Sequence, residues 1–341
     1  MGSIPRIGID AMGGDFGPRT VTEGAVLALQ ELPGRLHITL VGDEGELRDS
    51  LRQLKAESLP IDVVHAPERI EMAEKAAAAV RRKSQSSLVV LTQLHRDGKL
   101  DAIFSAGNTG AVVATALLGL GRLEGVSRPA LAVFVPNRGE GTVLLDVGAN
   151  AECKPVWLVQ FAHMGAVYAR QLLGRKEPRV GLLSIGEEDT KGDALVLEAH
   201  PLLRRASHLN FVGNIEGRDV FKGNVDVVVT DGFTGNVLLK TAESIAGLLK
   251  HMIGEELRGD WMAKLGVLFM APALKRLARR IDWEEHGAAP LLGVDGVCFV
   301  GHGSSSPRAI RSAARTMLTF IEKRVNEHIR EEIEADHVTA A

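Results

Sequence analysis

The sequence predicts a three-layer α/β/α fold, a Rossmann-like and mostly parallel sheet between two layers of helices. Short apolar runs recur along the chain, and continuous runs of this kind are typical of strands buried on both faces. Helix-period stretches follow several of these runs, which is the alternation that a parallel sheet requires. Glycine supplies the third observation, because many of the 37 glycines stand directly after an apolar run.

Seven apolar runs are predicted to be strands, and each leads into a glycine-containing turn. These runs are Ile7–Ile9, Leu100–Phe104, Thr142–Leu145, Val180–Ile185, Asn210–Val212, Val225–Val229 and Gly296–Val300. Helices are predicted at Val112–Leu120, Val156–Leu173, Val237–Ile253 and Ile310–Ile333. Apolar residues recur with a helical period throughout the last stretch, which predicts one continuous amphipathic helix.

The glycine turns are expected to gather at the carboxyl ends of the strands, where ligands bind in open parallel sheets. Glycine leaves backbone N–H groups uncovered, and several turns open a helix, so the collection favours an anion. Any single turn is equally well explained as a tight connection between a strand and a helix.

The whole chain, residues 1–341, is predicted to form one domain, because no internal repeat or linker interrupts it. At about residues 245–290 the strand pattern stops and helical periodicity takes over, before Leu291–Val300 resumes the sheet pattern. We therefore expect a helical excursion from the core, with an apolar tip.

Composition excludes several classes of protein. The net charge of −3 and the aromatic content of 4% argue against nucleic-acid binding. The two cysteines, Cys153 and Cys298, are too few for a disulfide framework or a thiolate metal cage. An apolar signal core and a run of 18 apolar residues are both missing from the sequence, which predicts a cytoplasmic protein.

The motifs of common cofactor and metal sites are missing as well. The sequence contains no HExxH, no GxSxG and no GxxxxGK[ST], and the first turn lacks the GxGxxG spacing. We therefore expect no metal and no cofactor. Polar residues on glycine turns suit a reaction that positions two substrates and stabilises charge without a covalent enzyme intermediate.

Five motifs stand at these turns in chain order: Ile7–Asp15 (IGIDAMGGD), Ser105–Ala111 (SAGNTGA), Leu144–Asn150 (LLDVGAN), Val228–Asn236 (VVTDGFTGN) and His302–Ser304 (HGS). Together they resemble the PlsX family, the bacterial acyl-carrier-protein:phosphate acyltransferases of phospholipid synthesis. Two small departures exist: Phe16-Gly17 stands where many members have His-Ala, and Glu285–Pro290 replaces a more glycine-rich version.

The resemblance implies that acyl-ACP and inorganic phosphate react to give acyl phosphate and free ACP. It also implies a homodimer and a fold related to phosphate acetyltransferases and isocitrate-dehydrogenase-like enzymes. The acyl phosphate would pass to a membrane acyltransferase that acylates glycerol 3-phosphate. Two other functions stay open: a CoA-dependent phosphate acetyltransferase, and a non-catalytic scaffold that docks ACP and the next acyltransferase at the membrane.

Lys191 and Asn236 are the predicted catalytic residues. Phosphate is already a nucleophile, so the enzyme must hold it, offset its charge and donate to the tetrahedral oxyanion. Lys191 is the best cation on a glycine turn, and the alternative is a solvated lysine beside Glu187, Glu188 and Asp189. Asn236 stands before the predicted helix at Val237, where it would donate to a carbonyl oxygen or simply act as an N-cap.

The other predicted site residues are glycine or polar positions on the same turns, which contact substrate or organise the loops. They are Asp10, Gly13, Gly14, Asp15, Ser105, Gly107, Asn108, Thr109, Asp146, Asn150, Asn214, Asp231, Thr234, Gly235, His302, Gly303 and Ser304. Within this set, Asp231 is expected to orient Asn236 or Lys191. His302 is expected to be a loop hydrogen-bonder, or else a general acid for the leaving thiol.

The helical excursion carries a basic and apolar segment. Residues 264–281 contain five basic side chains and no acidic one. An apolar tip with cationic flanks is what a peripheral membrane contact requires, and the family resemblance favours the same role. The alternatives are a helix pair that forms a dimer, or a basic patch for acidic ACP. The predicted membrane-contact residues are Leu265, Val267, Leu268, Phe269 and Met270.

Overall fold

The structure is a computed structural model, which describes residues 4–257, 266–267, 269–276 and 288–336. Its strands are β1 (Arg6–Asp10), β2 (His37–Gly42), β3 (Ile61–His65), β4 (Ala102–Ser105), β5 (Ala130–Val135), β6 (Thr142–Leu145), β7 (Arg179–Leu183), β8 (Asn210–Ile215), β9 (Val227–Val229), β10 (Ala289–Leu292) and β11 (Cys298–Val300). They form one sheet in the order β3-β2-β1-β4-β11-β10-β5-β6-β9-β7-β8.

All seven predicted strands are present, as β1, β4, β6, β7, β8, β9 and β11. Most of their apolar runs are buried on both faces of the sheet, which is why the pattern identified them, whereas Val212 of the edge strand β8 is exposed. Several bounds differ by one or two residues, and the largest difference is at β8, which continues through Gly213 and Asn214, where the sequence predicts a turn. The additional strands are β2, β3, β5 and β10.

Two groups of parallel strands make up most of this sheet. The first group is β3-β2-β1-β4-β11, and the second is β6-β9-β7-β8. Between them, β10 pairs antiparallel with β11 and with β5, and β5 pairs antiparallel with β6. The predicted α/β fold with a mostly parallel sheet is confirmed.

These three antiparallel pairings have a consequence for the glycine turns. An odd number of reversals leaves the two parallel groups running in opposite directions, so their carboxyl ends lie at opposite edges of the sheet. The expected single rim of turns is therefore wrong. The turns after β1, β4 and β11 lie at one edge, and those after β6, β7 and β9 lie at the other.

Helices cover both faces of the sheet, as a three-layer fold requires. On β9, for example, Val227 and Val229 belong to one buried cluster and Val228 to the other. The helices are α1 (Gly17–Glu31), α2 (Glu44–Gln53), α3 (Ala76–Arg82), α4 (Ser87–Arg96), α5 (Thr109–Gly119), α6 (Pro155–Leu173), α7 (Ala194–Arg205), α8 (Gly232–Glu256), α9 (Pro307–Glu322) and α10 (Val325–Ala335).

The predicted helix over Ile310–Ile333 is two helices, α9 and α10. The chain turns at Arg324, which has a left-handed φ of +50°. α9 packs on α1 and α10 packs on α6, so the two halves of the apolar stripe serve different neighbours. Both halves are buried, and for that reason the periodicity continues across the break.

The helical excursion begins as the second half of α8. Beyond Leu257 the structure describes helical residues at 266–267 and 269–276, and the sheet resumes at β10. The predictions of one domain and of a membrane-contacting tip stay predictions.

Candidate functional site

The first-edge cluster consists of the turns after β1, β4 and β11, residues 10–15, 105–109 and 302–304. Asp10 is buried at its centre. Its Oδ1 accepts the N–H groups of Met12 and Gly13 at 3.1 and 3.2 Å, and its Oδ2 accepts the hydroxyl of Ser105 at 2.7 Å. Burial raises the pKa of Asp10 above its ordinary value. This carboxyl group is fully used in holding two turns together.

The backbones of the three turns of the first-edge cluster approach one another closely. A Cβ at Gly13 would lie 2.8 Å from Oδ2 of Asp10 and 2.9 Å from the backbone nitrogen of Gly107. The backbone N–H of Asp15 donates to the carbonyl of Gly303 at 2.8 Å. The glycines at this edge therefore permit close packing of backbone.

Three outer residues of the first-edge cluster, His302, Ser304 and Asn108, also bond within the fold. Nδ1 of His302 lies 2.7 Å from the hydroxyl of Ser304. Asn108 caps α5, and its Nδ2 donates to the carbonyl of Met72 at 2.9 Å, while Thr109 is the first residue of that helix. The role of these residues toward substrate stays a prediction.

The second-edge cluster consists of the turns after β6, β7 and β9 together with the end of β8, residues 146–150, 184–192, 214 and 231–236. Asp146 is fully buried. Its Oδ1 accepts three backbone N–H groups at 3.0–3.2 Å, and its Oδ2 accepts the backbone and side-chain N–H groups of Asn150 at 2.7 and 2.9 Å. Burial raises the pKa of Asp146. These two residues thus fix the turn after β6.

α8 begins in this cluster, five residues before the predicted start at Val237. Asp231 is the N-cap, and it accepts both the backbone N–H and the hydroxyl of Thr234, at 2.8 and 2.7 Å. Gly235 packs so closely that a Cβ would lie 2.0 Å from the carbonyl oxygen of Asp146. Asn236 therefore lies in the second turn of α8, so the N-cap reading of this residue is wrong.

The side chain of Asn236 is exposed, and its amide makes no hydrogen bond to the residues that the structure describes. It faces Gly148 of the turn after β6, where a Cβ would lie 3.8 Å from Cγ of Asn236. The free amide of Asn236 contrasts with the side chains of Asp146, Asn150 and Asp231, which form hydrogen bonds within the turns.

Lys191 lies on the turn after β7, where its backbone is held from three sides. Its N–H donates to the carbonyl of Glu188 at 2.9 Å. Its carbonyl accepts the hydroxyl of Ser184 at 3.1 Å and Nδ2 of Asn214 at 3.2 Å. The side chain is exposed, and within the described ranges its ammonium has no ion pair or hydrogen bond.

Two of the three acidic neighbours of Lys191 are paired with other cations. Glu187 lies 3.4 Å from the guanidinium of Arg218, and Asp189 lies 2.9 Å from that of Arg204. The exposed ammonium, unpaired among the described residues, fits both the predicted phosphate-binding cation and the alternative of a solvated lysine, so the catalytic role of Lys191 stays a prediction. The positive charge of Lys191 is left available for an anion.

Two large apolar side chains flank the same turns, and sequence patterns did not single them out. Ile185 is 82% exposed and Phe233 is 67% exposed. They follow the neighbouring strands β7 and β9, whose backbones lie about 4.8 Å apart. Lone exposed apolar residues are ordinary, but here Ile185 stands on the same turn as Lys191 and Phe233 in the same helix as Asn236. The second-edge cluster thus joins an unpaired cation, a free amide and apolar surface.

Comparison with known proteins identifies the family. A family model described as "Fatty acid synthesis protein" matches residues 5–328. A phosphate acyltransferase of Pelotomaculum thermopropionicum is 52% identical over 336 residues, which cover 98% of this chain and 97% of the relative. One of Acidobacterium capsulatum is 49% identical over 339 residues, 99% of this chain and 98% of the relative. The chain belongs to the PlsX family of phosphate acyltransferases. The family resemblance and the assignment as an acyltransferase enzyme are confirmed.

Solved structures agree with this fold. A phosphotransacetylase from Streptococcus pyogenes has a TM-score of 0.62 at 18% identity, and covers 93% of this chain and 94% of its own. The EutD phosphotransacetylase from Staphylococcus aureus has a TM-score of 0.60 at 17% identity, with 94% of each chain covered. At these identities the likeness concerns the fold.

A phosphate acyltransferase can use phosphate itself as the nucleophile, and the cysteines of this chain agree with that chemistry. Cys153 lies beside the second-edge cluster, with its thiol 3.7 Å from the carbonyl of Asn150, and burial together with the nearby Asp146 raises its pKa to about 12. Burial also raises the pKa of Cys298 to about 12. Neither thiol is ionised near neutral pH, so neither is activated as a nucleophile.

The predicted membrane-contact residues are only partly described. Leu265 and Leu268 lie outside the described residues. Val267 is half-buried, whereas Phe269 and Met270 are 84% and 56% exposed. Among the described helices, none has the length and apolar character to cross a membrane.

Proposed function

We propose that this phosphate acyltransferase transfers a fatty acyl group from acyl-ACP to inorganic phosphate, and so supplies acyl phosphate for phospholipid synthesis. The observation that carries the proposal is the unpaired ammonium of Lys191 at the edge where Asn236 presents a free amide. An anionic substrate and a thioester carbonyl need these two kinds of group side by side.

In the proposed reaction a phosphate oxygen attacks the carbonyl carbon of the thioester. A C–O bond forms and the C–S bond breaks, and the sulfur leaves with the electron pair and takes a proton from solvent. Lys191 offsets the charge of phosphate, and the amide of Asn236 donates to the oxyanion of the tetrahedral intermediate. The products are acyl phosphate and the free thiol of ACP.

The apolar flank of the cluster favours a long acyl donor over acetyl-CoA. An acetyl group has a single methyl to bury, whereas a fatty acyl chain gains about 0.8 kcal/mol for each CH₂ removed from water. Ile185 and Phe233 are exposed on the turns that carry the predicted catalytic pair, where they could contact the first carbons of such a chain.

The test of the donor is phosphate-dependent release of free thiol from long-chain acyl-ACP and from acetyl-CoA. We expect release from acyl-ACP only when phosphate is present, and little release from acetyl-CoA. Exclusive use of acetyl-CoA would reject acyl-ACP as the acyl donor. Binding of acyl-ACP with no thiol release under any condition would favour the non-catalytic scaffold instead.

We also propose that α8 pairs two copies of the chain. Five large apolar residues on its second half are half or more exposed, and such a helix face is typical of a contact between proteins. They are Ile245, Leu248, Leu249, Met252 and Ile253. Sedimentation tests this: Leu248→Glu should give a monomer where the unaltered chain is a dimer, and an unchanged sedimentation coefficient would reject the contact.

The third part of the proposal is a peripheral membrane contact at the excursion, on the cytoplasmic face, close to the downstream glycerol 3-phosphate acyltransferase. Phe269 and Met270 are exposed, and the neighbouring Lys275 and Arg276 are exposed cations, the combination that binds anionic lipid surfaces. Phe269→Glu/Met270→Glu should abolish sedimentation with anionic liposomes. Leu118→Glu, at an exposed apolar position on α5, is the matched control and should sediment normally.

A further inference from the structure

Asn214 is predicted from the sequence to bind substrate, but its contacts serve another residue. The side chain is 95% buried at the end of β8, with 5% of its surface exposed. Its Nδ2 donates to the carbonyl of Glu188 at 2.9 Å and to the carbonyl of Lys191 at 3.2 Å. Both hydrogens of the amide are therefore used on the turn that carries Lys191.

The acceptor of the same amide is left unused. Oδ1 of Asn214 is buried and has no hydrogen-bond partner among the described residues. Rotating the amide by 180° would place this oxygen against the two carbonyl oxygens of Glu188 and Lys191, so the orientation is fixed by the turn. An unpaired buried acceptor loses its hydration and so destabilises the fold. Asn214 nevertheless keeps this orientation, in which both of its donors hold the turn.

A β-bulge aims Asn214 at this turn. The register between β7 and β8 shifts by one residue: Val180 pairs with Phe211, and Gly181 pairs with Gly213. Gly213 has a φ of +101°, and Val212 is the extra residue of the bulge.

The side chains before and after the bulge show its effect. Phe211 and Ile215 are four residues apart and would share one face of a regular strand. Here Phe211 packs on one core cluster and Ile215 lies in the other, because the extra residue reverses the alternation. Asn214 is thereby placed on the face that it would not occupy in a regular strand.

The Lys191 turn is held at further points as well. Ser184 donates to the same carbonyl of Lys191, at 3.1 Å, and the N–H of Lys191 closes the turn on Glu188. On its far side, Asp193 caps α7 by accepting the N–H of Val196 at 2.9 Å. The backbone of Lys191 is thus pinned while its ammonium is exposed, which is the arrangement a pre-organised cation requires.

We infer that Asn214 is a positioning residue, which holds the Lys191 turn so that the ammonium is presented to phosphate, and that it does not itself contact substrate. The inference rests on the proposed role of Lys191. Removing the donors of Asn214 should let the turn move. The resulting loss of activity should depend entirely on the presence of the Lys191 side chain.

A double-mutant cycle tests this transmission, with Asn214→Asp as the probe because it keeps the size of the side chain and removes both donors. We expect Asn214→Asp to lower kcat about 10- to 100-fold and to leave the KM for acyl-ACP unchanged. In the Lys191→Ala background the same change should alter kcat/KM by less than about twofold. Losses that multiply in the double variant would overturn the inference, since a substrate contact acts independently of Lys191.

A second readout follows the turn directly. Trypsin cleaves after lysine, and a loosened turn should be cut at Lys191 at least about ten times faster in folded Asn214→Asp than in the unaltered enzyme. Asn210→Asp, at the exposed start of the same strand, is the matched control and should keep the original rate. Equal cleavage of Asn214→Asp and the unaltered enzyme would also reject the inference.

Failure of the Asn214 variant to fold, failure of the proposed catalytic site and failure of the positioning role can be distinguished from one another. If Asn214→Asp fails to fold, Ser184→Ala removes the other side-chain hydrogen bond to the Lys191 carbonyl and enters the same cycle, with a smaller loss that again vanishes without Lys191. Full activity of Lys191→Ala would contradict the proposed catalytic site itself. A loss in Lys191→Ala that combines multiplicatively with Asn214→Asp would contradict only the positioning role.

Discussion

The two strand-end clusters of this molecule are built from similar residues and differ in what those residues do. In both, a buried aspartate at the end of a strand gathers backbone N–H groups, Asp10 at the first edge and Asp146 at the second. At the first edge His302 and Ser304 bond to each other. At the second edge Lys191 and Asn236 are exposed, and neither bonds through its side chain within the described part of the chain.

This difference shows how to separate residues that organise a loop from residues that meet a substrate. A polar group whose hydrogen-bonding capacity is used within the fold has little left for a ligand. The glycine turns resemble one another in the sequence. What distinguishes them is whether the polar side chains on each turn form hydrogen bonds within the fold. The predictions below test this contrast.

The largest effect should come from the exposed pair of the second edge. Lys191→Ala and Asn236→Ala should each lower kcat about 10²- to 10³-fold, the loss typical of removing one donor to a developing oxyanion. Steady-state kinetics with acyl-ACP and phosphate measures this, and urea unfolding confirms that each variant is folded. Normal activity in both folded variants would remove the second-edge cluster from the mechanism.

The two buried aspartates should differ in stability when each is replaced by asparagine. Asp146→Asn turns an amide toward N–H donors and should lower the free energy of unfolding by about 2–3 kcal/mol. Asp10→Asn should cost only about 1 kcal/mol, because its Oδ1 still accepts two N–H groups and the hydroxyl of Ser105 can turn to accept. Urea unfolding measures both, and equal losses would contradict this account.

A smaller effect is the pH dependence of the free energy of unfolding that we expect from His95, which bonds to the chain just before β4 and β11. His95 accepts the N–H of Val297 at its Nε2 and donates from Nδ1 to the carbonyl of Leu100, and burial lowers its pKa below 6.5. Below that value the unfolded chain binds a proton that the folded chain does not, so stability falls as the pH falls.

We therefore expect the unaltered protein to lose about 1 kcal/mol more than His95→Gln between pH 7 and pH 5.5. The comparison uses urea unfolding of both proteins at the two pH values. An identical pH dependence in the two would show that His95 is not the group responsible.

Much of the fold could be predicted because its physics is local. The run Val227–Val229 is apolar without interruption, and both faces of that strand are buried. The reversal of the sheet could not be predicted, because Ala130–Val135 is also a continuous apolar run and hydrophobicity carries no strand direction. The two-edge arrangement of the turns depends on that strand, β5, and on β10.

The candidate site shows the same limit. Lys191 could be predicted as a cation on a glycine turn, but the sequence does not show that Arg204 and Arg218, from other parts of the chain, pair with two of the three neighbouring carboxylates. The sequence predicts the start of α8 five residues too late, because the two glycines within residues 231–236 are typical of a turn. The hydrogen bonds from Thr234 to Asp231 begin the helix earlier.

The most direct test of the account is formation of acyl phosphate from acyl-ACP and radiolabelled phosphate by two paired variants. The second-edge pair, Lys191→Ala/Asn236→Ala, should form at least about 10³-fold less labelled acyl phosphate than the unaltered enzyme. The first-edge pair, His302→Ala/Ser304→Ala, should stay within about tenfold of it, since a leaving thiolate needs little acid assistance. Abundant product from the second-edge pair, with loss in the first-edge pair, would place the reaction at the opposite edge of the sheet.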